Sequence, residues 1–465
     1  MMTITLGQLR QRFGGEICGS EDAVLGPIVT DSRAVVSGDT FVALVGDRFN
    51  AHQFIADVIG RGAQLVVVSH DWATANGELL DGRNAWRVSD TNAALGQIAQ
   101  LAREAFTGPL VGITGSCGKT TVKEMLLAIA THVYGGDAVL ATQGNLNNHF
   151  GVPQTLLRLA PEHRFAIVEM GASGPDEISY LANMAQPTVS VVNNVMAAHV
   201  EGFGSLAGVA TTKSAIYDGL GDDGVAVINV DDAFAPQFQQ QNTHRASVTF
   251  SLEQVSADFY AKDVRVQETG SQFQLCAGEQ SFAVTLPITG LHNVRNALAA
   301  AACAHSAGVP LSAIAEGLTQ VKAAKGRMNS ERLTPQLTLI DDTYNANPDS
   351  TRAAIDALLA FEGDSWLVLG DMGELGPDAR KLHAEIGDYA KAAGLAAVIG
   401  VGPLSADAVQ AYGASSQFDD HAGAVAHILQ QLERQAGRIN ILIKGSRSAR
   451  MELVVQAIKD QVRTA

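Results

Sequence analysis

Residues 112–124 read GITGSCGKTTVKE and follow the apolar pair Leu110–Val111. A hydrophobic strand, a glycine-rich turn and a Lys-Thr-Thr that opens a helix form an arrangement in which backbone N–H groups face an anion. The commonest phosphate loop, G-x-x-x-x-G-K-[ST], requires a glycine at position 113. This chain has Ile113 there and glycines at 112 and 115 instead. Gly115, Ser116, Cys117, Gly118, Lys119, Thr120 and Thr121 are read as a variant nucleotide loop. The glycines let the backbone approach oxygen atoms, Lys119 supplies charge, and the Thr120 hydroxyl suits a phosphate-bound Mg2+. Cys117 reads as a small residue that the loop tolerates.

Working outward, the apolar runs LVGITG, FAIVEMG, TVSVVNNV and GVAVINVDD alternate with helical patterns. Such alternation predicts a mostly parallel sheet with helices on both faces. Between about 246 and 289 the pattern changes to alternating strands, predicting an antiparallel insertion before the helix HNVRNALAAAACAHSAG. The expected fold is α/β in three domains. Residues 1–87 are expected to form a small N-terminal α/β domain. Residues 88–322 are expected to form a central P-loop domain with a parallel sheet. Residues 323–465 form a C-terminal Rossmann-like domain, with strands in LTLIDDT, SWLVLGDM, LAAVIGVG and INILIKG. The first boundary precedes a helix that Asp90 or Thr91 can cap.

Composition limits the function. The chain has 465 residues, a formal net charge of −16, 46% hydrophobic and 17% charged residues. That balance suits a folded globular protein, and the charge disfavours general nucleic-acid binding. No apolar run approaches a membrane span, and the N-terminus lacks a secretory pattern. A cytoplasmic monomer is expected. Cys18, Cys117, Cys276 and Cys303 form no C-x-x-C pair and read as free thiols.

A phosphate loop alone does not separate a GTPase, a kinase, an ATPase and a ligase. Glu169 ends the apolar strand of FAIVEMG, and His199 lies in the loop after the next strand. Either residue can ligate a divalent cation, although either could also be an ordinary cap or loop residue.

The stretches TGSCGKTT, VEMG, NNVMAAHVEGFGS, VATTKSAIY and GLHNVRNALAA occur in the order seen in the Mur ligases, and the chain resembles that family. The displaced glycine resembles that family's form of the loop. Four further stretches, TDSRAVVSGDTFVALVGDRFNAHQF, QGNLNNHFGVPQTLL, LIDDTYNANPDS and LVLGDMGELG, resemble its branch that joins D-alanyl-D-alanine to UDP-N-acetylmuramoyl-tripeptide. One departure is RFNAH, where the branch more often has Asp-Gly-His, so Asn50 and Ala51 differ.

The resemblance implies that ATP phosphorylates a carboxylate, giving an acyl phosphate for the dipeptide amine to attack. It implies that Lys119 grips the β and γ phosphates and that Thr120 and Glu169 hold one Mg2+. A second Mg2+ is implied at His199 and Lys213, the lysine being carbamylated in several relatives. His292, Asn293 and Asn296 match the helix start near adenine, Arg327 an arginine that reaches ATP across a hinge, and Asp342 a ribose contact. Asn145, Asn147 and Asn148 suit the substrate's pyrophosphate or peptide. The resemblance implies that residues 1–87 are the UDP-substrate-binding domain, with Ser32 and Arg33 for the uridine nucleotide, and that residues 88–322 are the ATPase domain. Tyr344, Asn345, Asn347, Lys444, Ser446 and Arg447 are candidates for the incoming dipeptide.

Overall fold

The computed structural model of the protein describes residues 4–46, 48–196, 200–413 and 416–464. The fold is α/β, and among the described residues three large sheets carry it. The first sheet orders its strands Glu16–Cys18, Asn84–Val88, Leu65–Ser69, Thr40–Val42 and Ile28–Val29. Only its Glu16–Cys18 edge pairs antiparallel. Asn84–Val88 runs across the expected boundary after residue 87.

The helix Thr91–Glu104 follows at once, with the Asp90 carboxylate accepting from the N–H groups of Asn92 and Ala93. It is shared between two cores. Ala94, Leu95 and Ile98 pack under the first sheet, while Ala99 joins the central core. Its buried Arg103 donates to the carbonyls of Ala185, Phe106 and Gln186 at 2.7, 2.8 and 2.7 Å. Arg103→Ala would strand these acceptors and is expected to destabilise the fold by about 2–4 kcal/mol. Urea unfolding measures this, and a shift below about 0.5 kcal/mol, the range of neutral surface changes, would contradict it.

The central sheet holds nine strands, with Leu110–Thr114 between Val189–Val192 and Phe165–Glu169. Both pairings are parallel, so the ends of all three strands open on one edge, where open α/β sheets place their ligands. Helices Lys119–Tyr134, Leu291–Ser306 and Leu311–Leu318 cover one face. The run Ala299–Ala302 is fully buried there, its small side chains allowing close approach. The antiparallel strands Phe259–Gln267, Gly270–Ala277 and Gln280–Leu286 are present, but they extend this same sheet. Ala246–Ser251, expected among them, pairs parallel with both neighbours. Alternation in sequence reports one polar face and does not fix strand direction.

The third sheet orders Asn329–Arg332, Leu337–Asp342, Ile439–Lys444, Asp364–Gly370, Ala397–Val401 and Gln417–Phe418, parallel except at its first pair. Its core lies in two layers, one on each face. The third sheet also touches the central hairpin, where Arg438 pairs with Glu268 at 2.6 Å. Among the described residues no helix is long and apolar enough to cross a membrane.

Candidate active site

The loop after Leu110–Thr114 turns through Gly115 at φ +152° and Gly118 at φ +80°, and Gly118 caps the helix Lys119–Tyr134. A Cβ at Gly118 would lie 2.5 Å from Asn296 Oδ1 and 2.6 Å from Asn193 Nδ2, so both space and backbone demand glycine. Asn193 and Asn194, which the sequence reading did not assign, hold the loop. Asn194 Oδ1 accepts from Cys117 N at 2.8 Å, and both side chains donate to Cys117 O. Asn193 also donates to Asn296 Oδ1 at 2.9 Å, and Asn296 to Asn293 Oδ1 at 3.2 Å. The pair stands at the end of an apolar strand in SVVNNV, which was the available signal.

Lys119 Nζ donates to Gly115 O at 2.7 Å, folding its side chain over the loop. Desolvation lowers the Lys119 pKa. Thr120 Oγ1 donates to Glu169 Oε2 at 2.9 Å, and Asn147 Nδ2 donates to Glu169 Oε1 at 2.8 Å. Glu169 is only 2% exposed, so a buried anionic oxygen pair and a hydroxyl lie beside the phosphate loop. These are hard oxygen donors of the kind Mg2+ takes, and they fit the implied ion. Thr121 follows in the first helical turn, and Ser116 Oγ donates to Met196 O at 3.1 Å.

Lys213 sits on the helix Leu206–Ser214 and is 2% exposed, with its Nζ 5.8 Å from the centre of the Phe203 ring. Burial first, then the charge of Lys119, push its pKa down to about 7. Its amine is therefore readily neutral, as carbamylation requires. His199 lies outside the described residues.

Among the described residues, two hydrogen bonds carry the third domain to this loop. Arg327 Nη2 donates to Thr120 Oγ1 at 3.0 Å, and Asn347 Nδ2 donates to Cys117 Sγ at 3.1 Å. Asp342 accepts from Met328 N at 3.1 Å and pairs with Lys444, whose Nζ also donates to Asn345 O at 3.0 Å. His292 is near this pair, and burial lowers its pKa to about 4.

The remaining candidates divide between the loop and other duties. Asn148 Oδ1 accepts from the N–H groups of Phe150 and Gly151, starting the next helix, and Asn145 is exposed. Asn347 Oδ1 caps the helix Pro348–Leu358, and Tyr344 lies under the Arg327 guanidinium. Ser446 Oγ donates to Asp371 O, while exposed Arg447 pairs with Glu452. In the N-terminal unit, between strands Ile28–Val29 and Thr40–Val42, Ser32 begins a short 3-10 helix and exposed Arg33 pairs with Asp31, lowering that carboxyl to about 2.

Asn50 Oδ1 caps the turn at His52 N and receives its Nδ1–H, because His52 Nε2 accepts from Ser69 N. Asn50 therefore supplies a cap, and Ala51 is packed in the core beside it.

Two family models match the chain. The Mur ligase middle domain matches residues 113–304, and the glutamate ligase domain of Mur ligases matches residues 326–447. Together with the phosphate loop and the arginine arriving from the next sheet, they define a ligase of the Mur type. The UDP-N-acetylmuramoyl-tripeptide–D-alanyl-D-alanine ligase of Escherichia coli (strain K12) is 40% identical over 460 residues, covering 99% of both chains. A crystal structure of MurF from Acinetobacter baumannii superposes with a TM-score of 0.89 at 35% identity, over 99% of both chains. MurF of Thermotoga maritima in complex with ADP gives a TM-score of 0.82 at 27% identity, over 94% of this chain and 98% of that one. The chain belongs to the MurF family of UDP-N-acetylmuramoyl-tripeptide–D-alanyl-D-alanine ligases.

Proposed function

We propose that the protein joins D-alanyl-D-alanine to UDP-N-acetylmuramoyl-tripeptide in peptidoglycan synthesis, consuming ATP. A carboxylate is a poor electrophile because its leaving group would be oxide. Transfer of the γ-phosphoryl group to the tripeptide's terminal carboxylate, with departure of ADP, gives an acyl phosphate. The dipeptide amine then adds to the acyl carbon, and the tetrahedral intermediate expels phosphate and loses a proton to leave an amide.

The observation that carries this reading is the convergence at one loop of Lys119, Thr120, Glu169 and, from the turn that leads into the third sheet, Arg327. Lys119 and Arg327 are fixed cations suited to stabilising the transferring phosphoryl group. Asn293 and Asn296 are assigned to adenine and Asp342 to ribose. Thr120 and Glu169 are assigned to one Mg2+, and His199 with a carbamylated Lys213 to a second. Bound there, the ions would lower repulsion between an anionic nucleophile and the triphosphate.

The N-terminal unit, through Ser32 and Arg33, is assigned to the uridine nucleotide, and Asn145, Asn147 and Asn148 to the pyrophosphate or peptide. Asn345, Lys444, Ser446 and Arg447 are retained for the dipeptide. We assign the work to three units with boundaries near residues 88 and 323, in a cytoplasmic monomer.

Phosphate release from ATP, with each of the two co-substrates present or omitted, tests the reading, and mass spectrometry identifies the product. Turnover is expected only with both, yielding the UDP-muramoyl pentapeptide. Turnover indifferent to both would mean a phosphotransferase or NTPase.

A further inference from the structure

Tyr344 belongs to a segment that is fixed at nearly every residue. Asp341 Oδ1 accepts from the backbone N–H and hydroxyl of Thr343 at 3.2 and 2.6 Å. Tyr344 N donates to Gly326 O at 3.1 Å, Asn345 O accepts from Lys444, and Asn347 caps the following helix while reaching Cys117. The ring projects from this braced backbone, and the Arg327 guanidinium carbon lies 4.1 Å from its centre.

Arg327 is held from its own side as well. Its N–H donates to Asn329 Oδ1 at 3.0 Å, and the next N–H, of Met328, donates to Asp342 Oδ1 at 3.1 Å. Gly326 and Met328 on either side both take positive φ, +72° and +52°. A Cβ at Gly326 would lie 3.2 Å from Tyr344 N, a contact that would push the turn away from the tyrosine. Met328 has no such licence, and a non-glycine residue held in the left-handed region marks a turn imposed by its surroundings.

We propose that Tyr344 is a positioning residue for Arg327 and not a grip on the incoming dipeptide. An arginine has several rotatable bonds, and fixing them costs conformational entropy each time it must meet an anion. Stacked on a ring carried by this braced backbone, the guanidinium loses part of that freedom in advance, and its Nη2 stays directed at Thr120 beside the phosphate loop. The ring face is electron-rich, so the stack also favours the cation without neutralising it, as a carboxylate partner would. The inference rests on the assignment of Arg327 to phosphoryl transfer.

The test is steady-state kinetics of the full-length enzyme carrying Y344F, Y344L, R327A and the double change R327A/Y344L, with thermal unfolding as a check on folding. Y344L is expected to lower kcat/KM for ATP by roughly 3- to 30-fold, the span of a stacked cation's worth, with KM for D-alanyl-D-alanine within about twofold. Y344F keeps the ring and is expected to restore activity to within about threefold. In the R327A background, Y344L is expected to add less than about twofold, because the group it positions is already gone.

A dipeptide grip through the hydroxyl predicts the opposite pattern. Y344F alone would then raise the dipeptide KM severalfold, and the two losses would multiply in the double variant. Either result overturns the proposal while leaving Arg327 in place, and the Y344F arm decides even if Y344L does not fold. R327A with unchanged kinetics would instead remove the assignment beneath it.

Discussion

Lys213→Ala is expected to lower the rate of amide formation by about a thousandfold, and small carboxylic acids supplied in solution are expected to restore part of it. The lysine is 2% exposed, and its amine is held close to neutrality by burial and by Lys119. A cation at this position would have to overcome both desolvation and like-charge repulsion. A carbamate turns that repulsion into attraction, since an anion is drawn to Lys119 and offers oxygen to a hard metal ion. Alanine leaves space in which acetate or propionate can present the same two oxygens. Rescue should saturate with acid concentration and should not occur with an amine of similar size. An alanine variant at wild-type rate would return Lys213 to an ordinary buried helix residue, and impairment without any rescue would end the carbamate assignment.

The phosphate loop was legible because its chemistry is local. Strand, turn and helix lie within 25 residues of one another, and Gly118, Lys119 and Thr120 act through backbone and side chains that the sequence lists in order. Glu169 was legible for a related reason, as a carboxylate ending an apolar strand, and the structure brings it to Thr120. Contacts between residues far apart were less accessible. Nothing in YNAN distinguishes a tyrosine beneath Arg327 from one facing a dipeptide, because the contact exists only once Asn329–Arg332 pairs antiparallel with Leu337–Asp342 and brings the Gly326–Met328 turn against Tyr344. Lys444 stands in the sequence as one more candidate for the dipeptide, and its pairing with Asp342, on the adjacent parallel strand at the matching register, was not visible there. Asn193 and Asn194 were visible only as polar residues at a strand end. Their role appears once the neighbouring strand puts Cys117 beside them.

Glu169→Gln carries the second large effect, because it removes charge while nearly preserving shape. Each carboxylate oxygen now accepts one hydrogen bond, from Thr120 Oγ1 and from Asn147 Nδ2. In glutamine the carbonyl can keep the Asn147 bond, and the amide can donate to Thr120 if the hydroxyl turns its proton elsewhere. Folding should therefore change little, whereas the negative charge assigned to Mg2+ is lost. The expected fall in kcat is about 100- to 1000-fold, with saturation shifted to higher Mg2+. Asn147→Ala separates orientation from charge, since it leaves the carboxylate and deletes one of the bonds that aims it. Its loss should be nearer tenfold, in line with a single hydrogen bond to a charged group. Titrating phosphate release against Mg2+ for the two variants makes the comparison. If E169Q followed the wild-type Mg2+ curve at full rate, Glu169 would only brace Thr120, and the anionic ligand would have to be sought on another strand end.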